Sequence, residues 1–209
     1  MSQFNLDKII FSLFKDKKGF YIESGASHPI DQSNTYFLES NGWKGMLIEP
    51  RTDHNVEYSM YRPNSIVENY ALVGDNHNED TISAYSGDVG HMYNVTGIHG
   101  TELLKYNNNI KINKVEWKAS TLNSILRRHQ IKNVDFFSLD VEGYEHDVIS
   151  GIDFEYVKFE VILIETHDYS WCDKTDDFSY LENYNYYLYN RPTDSHQIWI
   201  NKDFIFTEE

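Results

Sequence analysis

Two acids at the ends of successive strand-like runs, with one glycine turn between them, form the clearest chemical pattern in this chain. The apolar run Gly19-Phe20-Tyr21-Ile22 closes on Glu23-Ser24-Gly25-Ala26-Ser27, and Gly45-Met46-Leu47-Ile48 closes on Glu49. In a doubly wound sheet, a glycine turn lets a ligand approach the backbone, and an acid at the tip of the second strand accepts hydrogen bonds from ribose hydroxyls. Glu49 is therefore expected to hold a ribose, with Gly25, Ala26 and Ser27 forming the turn past which the rest of the ligand runs. Positions 27 to 30 read Ser-His-Pro-Ile, so the G-x-G-x-x-G cradle needed by a pyrophosphate is missing. A nucleoside without phosphates fits such a turn, and S-adenosylmethionine is the common one. Glu23 is placed to receive that molecule's ammonium, directly or through water. Ser33, Asn34 and Thr35 open an expected helix whose N–H groups favour its carboxylate; plain helix capping explains the same three residues equally well.

A second set of acids suits the chemistry itself. Asp140 and Glu142 leave the carboxyl end of an expected strand at 134–140, where open α/β sheets place their sites. Residues two apart on a strand point the same way. Such a pair suits a general base, or an oxygen-ligand site for a divalent cation such as Mg²⁺. Glu165-Thr166-His167-Asp168 leaves the end of a neighbouring expected strand and would complete either arrangement. Asp140, Glu142 and His167 are thus the candidate catalytic residues and, as the alternative, candidate metal ligands, although no tight ligand spacing supports a metal. His28 could orient a substrate, and Tyr85, Tyr93 and Trp171 could stack on a sugar face; structural packing is the plainer account of such residues.

These residues need a sheet to hold them, and the chain is long enough to build one. At 209 residues it fits a single domain with a sizeable core. With 18 Lys and Arg against 33 Asp and Glu, the net charge of −15 argues against a nucleic-acid partner. The single cysteine, Cys172, excludes an internal disulfide and a cysteine metal cage. Leu6, Ile9, Ile10 and Leu13 follow a helical period within residues 1–18, and charges interrupt any apolar run. No signal or membrane segment is read there, and a cytoplasmic location is expected.

Strands are expected at 19–23, 45–49, 65–67 with an irregular continuation through 71–73, 115–119, 134–140 and 159–165. Helices are expected from Ser33 or Asn34 to Ser40, after Thr52 or Asp53, after Thr121, over 145–150, and from Asp176. A terminal hairpin pairs 186–189 with 197–200 across Pro192-Thr193-Asp194. Asn41-Gly42 and Gly151 read as helix stops. Residues 74–113 carry no clean period, exceed ordinary loop length and read as a substrate-side flap. Strands alternating with helices specify an α/β sandwich with an antiparallel edge.

Two blocks go beyond generic fold signals. GFYIESGASHPIDQSNTYFLESNGWKGMLIEP at 19–50 and VDFFSLDVEGYEHDVISGI at 134–152 resemble the paired signatures of the FkbM-type S-adenosylmethionine-dependent methyltransferases. The first carries the Gly-Ala turn, the Ser-Asn-Thr helix start and the Gly-Trp-x-Gly-x-x-x-Glu-Pro second strand; the second carries the Asp-x-Glu-Gly-Tyr-Glu block. Many relatives have a second glycine near the position of Pro29, and a subset reads Gly-Ala-x-His-Pro as this chain does.

The resemblance implies a Rossmann-like class I methyltransferase sandwich with a mostly parallel seven-stranded sheet, a C-terminal antiparallel hairpin and helices on both faces. It implies S-adenosylmethionine as cofactor, bound by Glu23, Gly25, Ala26, Ser27, Ser33, Asn34, Thr35, Glu49, Pro50 and Asp140. It further implies methyl transfer to a hydroxyl of a small acceptor, a sugar or nucleotide sugar of glycan biosynthesis, with no nucleic-acid or membrane partner. A homodimer stays open. The rival readings are a catalytically silent nucleoside- or glycan-binding module of the same fold, and a nicotinamide-dependent oxidoreductase, which the single-glycine turn disfavours.

Overall fold

In the computed structural model, residues 2–15, 17–88, 96–97, 111–166 and 177–206 are described. Their strands are β1 (Phe20–Ser24), β2 (Lys44–Ile48), β3 (Ser65–Glu68), β4 (Ala71–Val73), β5 (Thr81–Asp88), β6 (Thr96–Gly97), β7 (Lys111–Thr121), β8 (Asn133–Leu139), β9 (Lys158–Glu165), β10 (Tyr186–Thr193) and β11 (His196–Asn201). Their α-helices are α1 (Leu6–Phe14), α2 (Tyr36–Ser40), α3 (Asn55–Tyr61), α4 (Leu122–His129) and α5 (Glu145–Ser150).

The central strands are apolar on both faces, so each must be covered twice. On β8 and β9, Phe137, Leu139, Ile162 and Ile164 face one core with Leu122, Ile125 and Leu126 of α4 and Val148 and Ile149 of α5. Phe136, Val161 and Leu163 face the other, with Leu6, Ile10 and Leu13 of α1, Leu38 of α2 and Tyr58 of α3. Helices therefore cover both faces of a seven-stranded sheet of order β10-β11-β9-β8-β1-β2-β3. Its β3, β2, β1, β8 and β9 run parallel, and β11 and β10 close one edge antiparallel. This is the Rossmann-like sandwich with a C-terminal antiparallel hairpin expected from the sequence.

The topology also selects a place for a ligand. The chain winds outward from β1 through β2 to β3, then returns to β8 on the other side of β1. That reversal leaves a crevice at the carboxyl ends of β1 and β8.

Local chemistry sets several element ends. Thr121 caps α4, its Oγ1 accepting from the Ser124 N–H at 3.2 Å. Arg127, Arg128 and His129 sit in the last turn of that helix, where cations meet its dipole favourably. Gly42, at φ +91°, ends the α2 turn. Ser33 Oγ accepts from the N–H groups of Thr35 and Tyr36 at the start of that helix.

Three elements differ from expectation. Residues 81–88, read as part of a long flap, form β5, which pairs antiparallel with β7 from Thr81↔Lys118 to Asp88↔Lys111. With β4 and β6 they make a second sheet of order β4-β7-β5-β6. The helix expected from Asp176 is a 3-10 turn at Ser179–Tyr184, and Asp176 itself lies outside the described residues. The terminal hairpin is present, but it turns at Asp194-Ser195, leaving Pro192 within β10. β10 is an edge strand, where a residue without an N–H is tolerated.

Removing the Thr121 cap is expected to cost about 0.5–2 kcal/mol. Urea unfolding of Thr121→Ala should show that loss with an unchanged slope.

Candidate active site

A cavity opens at the crevice between the carboxyl ends of β1 and β8. Glu23, Ser24, Gly25, Ala26 and Ser27 form one wall, Glu49 and Pro50 a second, and Ser138, Asp140, Val141 and Glu142 a third. Tyr70, Ala71, Leu72 and Trp117 close the side nearest the second sheet. Of the residues expected to bind a cofactor, all except Ser33 and Thr35 line this cavity.

The turn after β1 is dictated by close packing. Gly25 has φ +75°, and a Cβ added there would lie 1.6 Å from the Asp140 carbonyl oxygen. Only glycine fits. The Gly25 N–H donates to Ile48 O at 3.0 Å, and the Asp140 N–H donates to Ser24 O at 3.1 Å, so the turn is tied to the ends of both β2 and β8. Ser27, Gln32 and Glu142, all on the cavity wall, adopt positive φ without being glycine. Such conformations cost energy and cluster where a site needs a particular backbone shape.

Glu49 is only 5% exposed, and each of its oxygens takes a backbone N–H at 3.0 Å, Oε2 from Ser27 and Oε1 from Arg51. Burial raises its pKa, against the Arg51 and Ser27 N–H groups and the Arg51 charge, which pull it down. A carboxylate offers about four acceptor positions, so two bonds leave room for two more. Arg51 is engaged with Asp53 through Nε and Nη2.

Glu23 lines the cavity, but its carboxylate is largely occupied. It accepts from Ser33 Oγ at 2.8 Å, Thr35 Oγ1 at 2.7 Å and the Asn34 N–H at 2.5 Å. Ser33 and Thr35 thus turn into the protein, towards Glu23. Asn34 faces the cavity, donates from Nδ2 to Ser138 Oγ at 3.2 Å, and leaves a buried Oδ1 with no partner among the described residues.

Asp140 and Glu142 both reach the cavity, though not by strand alternation. β8 ends at Leu139, and Glu142 sits at φ +58°, followed by Gly143 at φ +93°. The chain has left the sheet, so the two acids are placed by a tight turn rather than by pleat. Among the described residues, the carboxylates that cluster are Asp140, Glu145 and Glu165, whose oxygens lie within 4.8 Å of one another. Glu145 is anchored by the N–H groups of Val141 and Gly143. Burial pushes Glu165 up to about 7, with a hydrogen bond to Asp140 opposing and the charges of Glu142 and Glu145 adding to the rise. An acid poised near neutrality beside a second carboxyl is a pattern that proton-transfer sites use. His167, with Tyr93 and Trp171, lies outside the described residues, as does the Tyr85 side chain.

Sequence reasoning passed over Trp117, Tyr70, Arg51 and Glu145. Trp117 arrives from β7, and β4 aligns β7 with the crevice through Ala71↔Ala119. That pairing spans almost fifty residues and leaves no local trace.

The site is a cleft at the switch point of a seven-stranded Rossmann-like sheet, with acids on two sides and a glycine turn on the third. The family model described as a methyltransferase FkbM domain matches residues 23–188, and the chain belongs to that family. Comparison with curated proteins gave no match. No helix among the described residues is long and apolar enough to cross a membrane.

Two outcomes test this geometry. Gly25→Ala is expected to lose at least about 1–2 kcal/mol from the left-handed backbone alone, and to distort the turn further through the clash with Asp140; thermal melting checks it. Glu165 has a folded pKa near 7 against an ordinary value of 4.5, so folding takes up a proton between those values. Its stabilising contribution is fully present below pH 4.5 and lost as pH rises through about 7. Glu165→Gln should flatten the dependence of unfolding free energy on pH across that window.

Proposed function

We propose that this chain is an S-adenosylmethionine-dependent O-methyltransferase that methylates a hydroxyl of a small acceptor. The observation that carries the reading is Glu49, held by the Ser27 and Arg51 N–H groups opposite the Gly25 turn. Its free acceptor positions face a cleft shaped for a nucleoside, where they accept the two ribose hydroxyls. Gly25, Ala26 and Ser27 form the floor past which the amino-acid portion runs. The unpartnered Asn34 Oδ1 accepts from its ammonium, while Glu23, occupied by three donors, shapes the turn. Pro50 and Trp117 flank the base.

The bound sulfonium supplies an electrophilic methyl group. The chain's own residues align the acceptor and handle its proton. Alignment of oxygen, methyl and sulfur is worth about 7–11 kcal/mol, and a general base adds about 10²- to 10⁴-fold. Asp140 lies on the cavity wall and is hydrogen-bonded to Glu165. Asp140 would accept the proton that the acceptor hydroxyl loses on methylation, and Glu165 would share it. Glu142 and the Tyr144 ring extend this wall towards the acceptor. The family resemblance points to a sugar or nucleotide sugar of glycan biosynthesis, handled in the cytoplasm by a single domain.

A second reading rests on the clustered oxygens of Asp140, Glu145 and Glu165, a donor set of the kind a hard cation accepts. In that reading Asp140, Glu145 and Glu165 would hold Mg²⁺, which would supply positive charge beside the acceptor hydroxyl.

Glu49→Ala removes two charge-assisted hydrogen bonds of about 1.5–3 kcal/mol each. Calorimetry should therefore show S-adenosylhomocysteine binding weakened at least about tenfold; an unchanged dissociation constant moves the ribose elsewhere. Asp140→Asn should lower methyl transfer to a panel of sugars and nucleotide sugars by about 10²-fold or more, with little change in melting temperature. Wild-type turnover in this variant makes the acid structural. Loss of wild-type activity on chelation, restored by Mg²⁺, selects the cation reading.

A further inference from the structure

Arg62 follows the last turn of α3, and its side chain is wholly buried. It does not line the cavity. Its three nitrogens carry five N–H donors in a rigid planar fork, and all five have acceptors. Nε donates to Glu39 Oε2 at 2.7 Å. Nη1 donates to Pro29 O at 3.0 Å and Ser33 Oγ at 3.1 Å. Nη2 donates to Tyr21 OH at 3.0 Å and Thr35 Oγ1 at 2.5 Å. Nη1 also lies 3.6 Å from Glu23 Oε2.

These acceptors are not scattered. Tyr21 and Glu23 belong to β1, Pro29 is midway along the following turn, and Ser33 and Thr35 close it at the start of α2. One guanidinium thus fastens the segment at its beginning, middle and end, and Glu23 repeats the tie by accepting from Ser33, Asn34 and Thr35. Gly25, Ala26, Ser27, Asp31, Gln32 and Asn34, all on the cavity wall, lie inside the fastened span. Ser27 and Gln32 hold positive φ there, conformations that persist only where the surroundings over-determine them.

We propose that Arg62 is a positioning residue for the cofactor turn: without touching the ligand, its five-donor fork holds residues 23–35 in the shape that binds the nucleoside. The role rests on the cofactor reading above. Lysine at this position would keep the charge that Glu23 and Glu39 require but offers three donors for five acceptors. Charge compensation and positioning are thereby separable.

The test is Arg62→Lys in the full chain, with S-adenosylhomocysteine as the probe. Calorimetry should give at least tenfold weaker binding. Hydrogen exchange of the free variant should speed up at least tenfold at amides 25–34, while β8 and β9 keep wild-type protection. Saturating S-adenosylhomocysteine should restore protection to 25–34. A residue that served only global stability would instead raise exchange across the whole sheet. That uniform pattern, or a folded variant binding within twofold of wild type, overturns the proposal. Should Arg62→Lys not fold, Glu39→Gln loosens the Nε anchor and touches no cavity residue. The same weakening of binding and local rise in exchange are then expected of it, and their absence overturns the proposal in the same way. A wild-type chain that binds no S-adenosylhomocysteine sinks the cofactor reading and this role with it, whereas wild-type binding matched by the variant sinks this role alone.

Discussion

The approach of the Gly25 backbone to the Asp140 carbonyl governs the rest of this structure. The ends of β1 and β8 come so close that a single added carbon would overlap the carbonyl oxygen. Because the turn can lie flat there, Ser27 reaches back to Glu49, Ala26 packs into the core, and the strand ends open into a cleft instead of closing on one another. The same contact brings the two chemically distinct halves of the site together. One half is the acid of β2, and the other is the acidic turn after β8. A parallel sheet supplies the crevice by topology alone. The glycine decides that the crevice has a floor.

The second constraint is electrostatic. A chain of net charge −15 buries several carboxylates around its site, and each needs relief from the cost of losing water. Glu23 and Glu39 are relieved by hydrogen bonds and by the Arg62 charge. For Glu39, burial would raise the pKa, but bonds from Tyr21, Arg62 and Ser65 bring it below its ordinary value. Glu49 relies on two backbone N–H groups and keeps a raised pKa. Glu165 is relieved by holding a proton up to about pH 7. The first pair forms a rigid support, since removing one partner of a buried ion pair costs about 3–5 kcal/mol. The last is the group whose proton can move at neutral pH. The buried acids thus differ in how each is compensated, Glu23 and Glu39 by donors and a cation, Glu165 by a proton.

What the sequence disclosed follows the reach of its signals. Where a local rule applies, the match is close: Thr121 starts α4, residues 145–150 are α5, and the apolar run at 159–165 is β9. Where pairing is long-range, the signal fails. Residues 81–88 read Thr-Ile-Ser-Ala-Tyr-Ser-Gly-Asp, an alternation of polar and apolar side chains that lasts only four positions, so no sustained stripe announces β5, and its partner β7 lies across residues 89–110. Asp140 and Glu142 are legible as a pair from their i, i+2 spacing at a strand end, but the expected strand alternation does not place them: the strand ends at Leu139, and the turn through Glu142 and Gly143 does. Arg62 carries no local mark at all. Its burial comes from five acceptors on distant parts of the chain, none of them within 20 residues of it in sequence.

The proposed function puts the ribose of a bound nucleoside on Glu49, with Asp140 on another wall of the same cavity. A crystal structure of the chain with S-adenosylhomocysteine tests it most directly. Both ribose hydroxyls should lie within hydrogen-bond distance of the Glu49 oxygens, the amino-acid portion along Gly25 to Ser27, and the ammonium at Asn34 Oδ1. A ligand whose ribose lies away from Glu49, or that occupies a cleft other than the β1–β8 crevice, would contradict it.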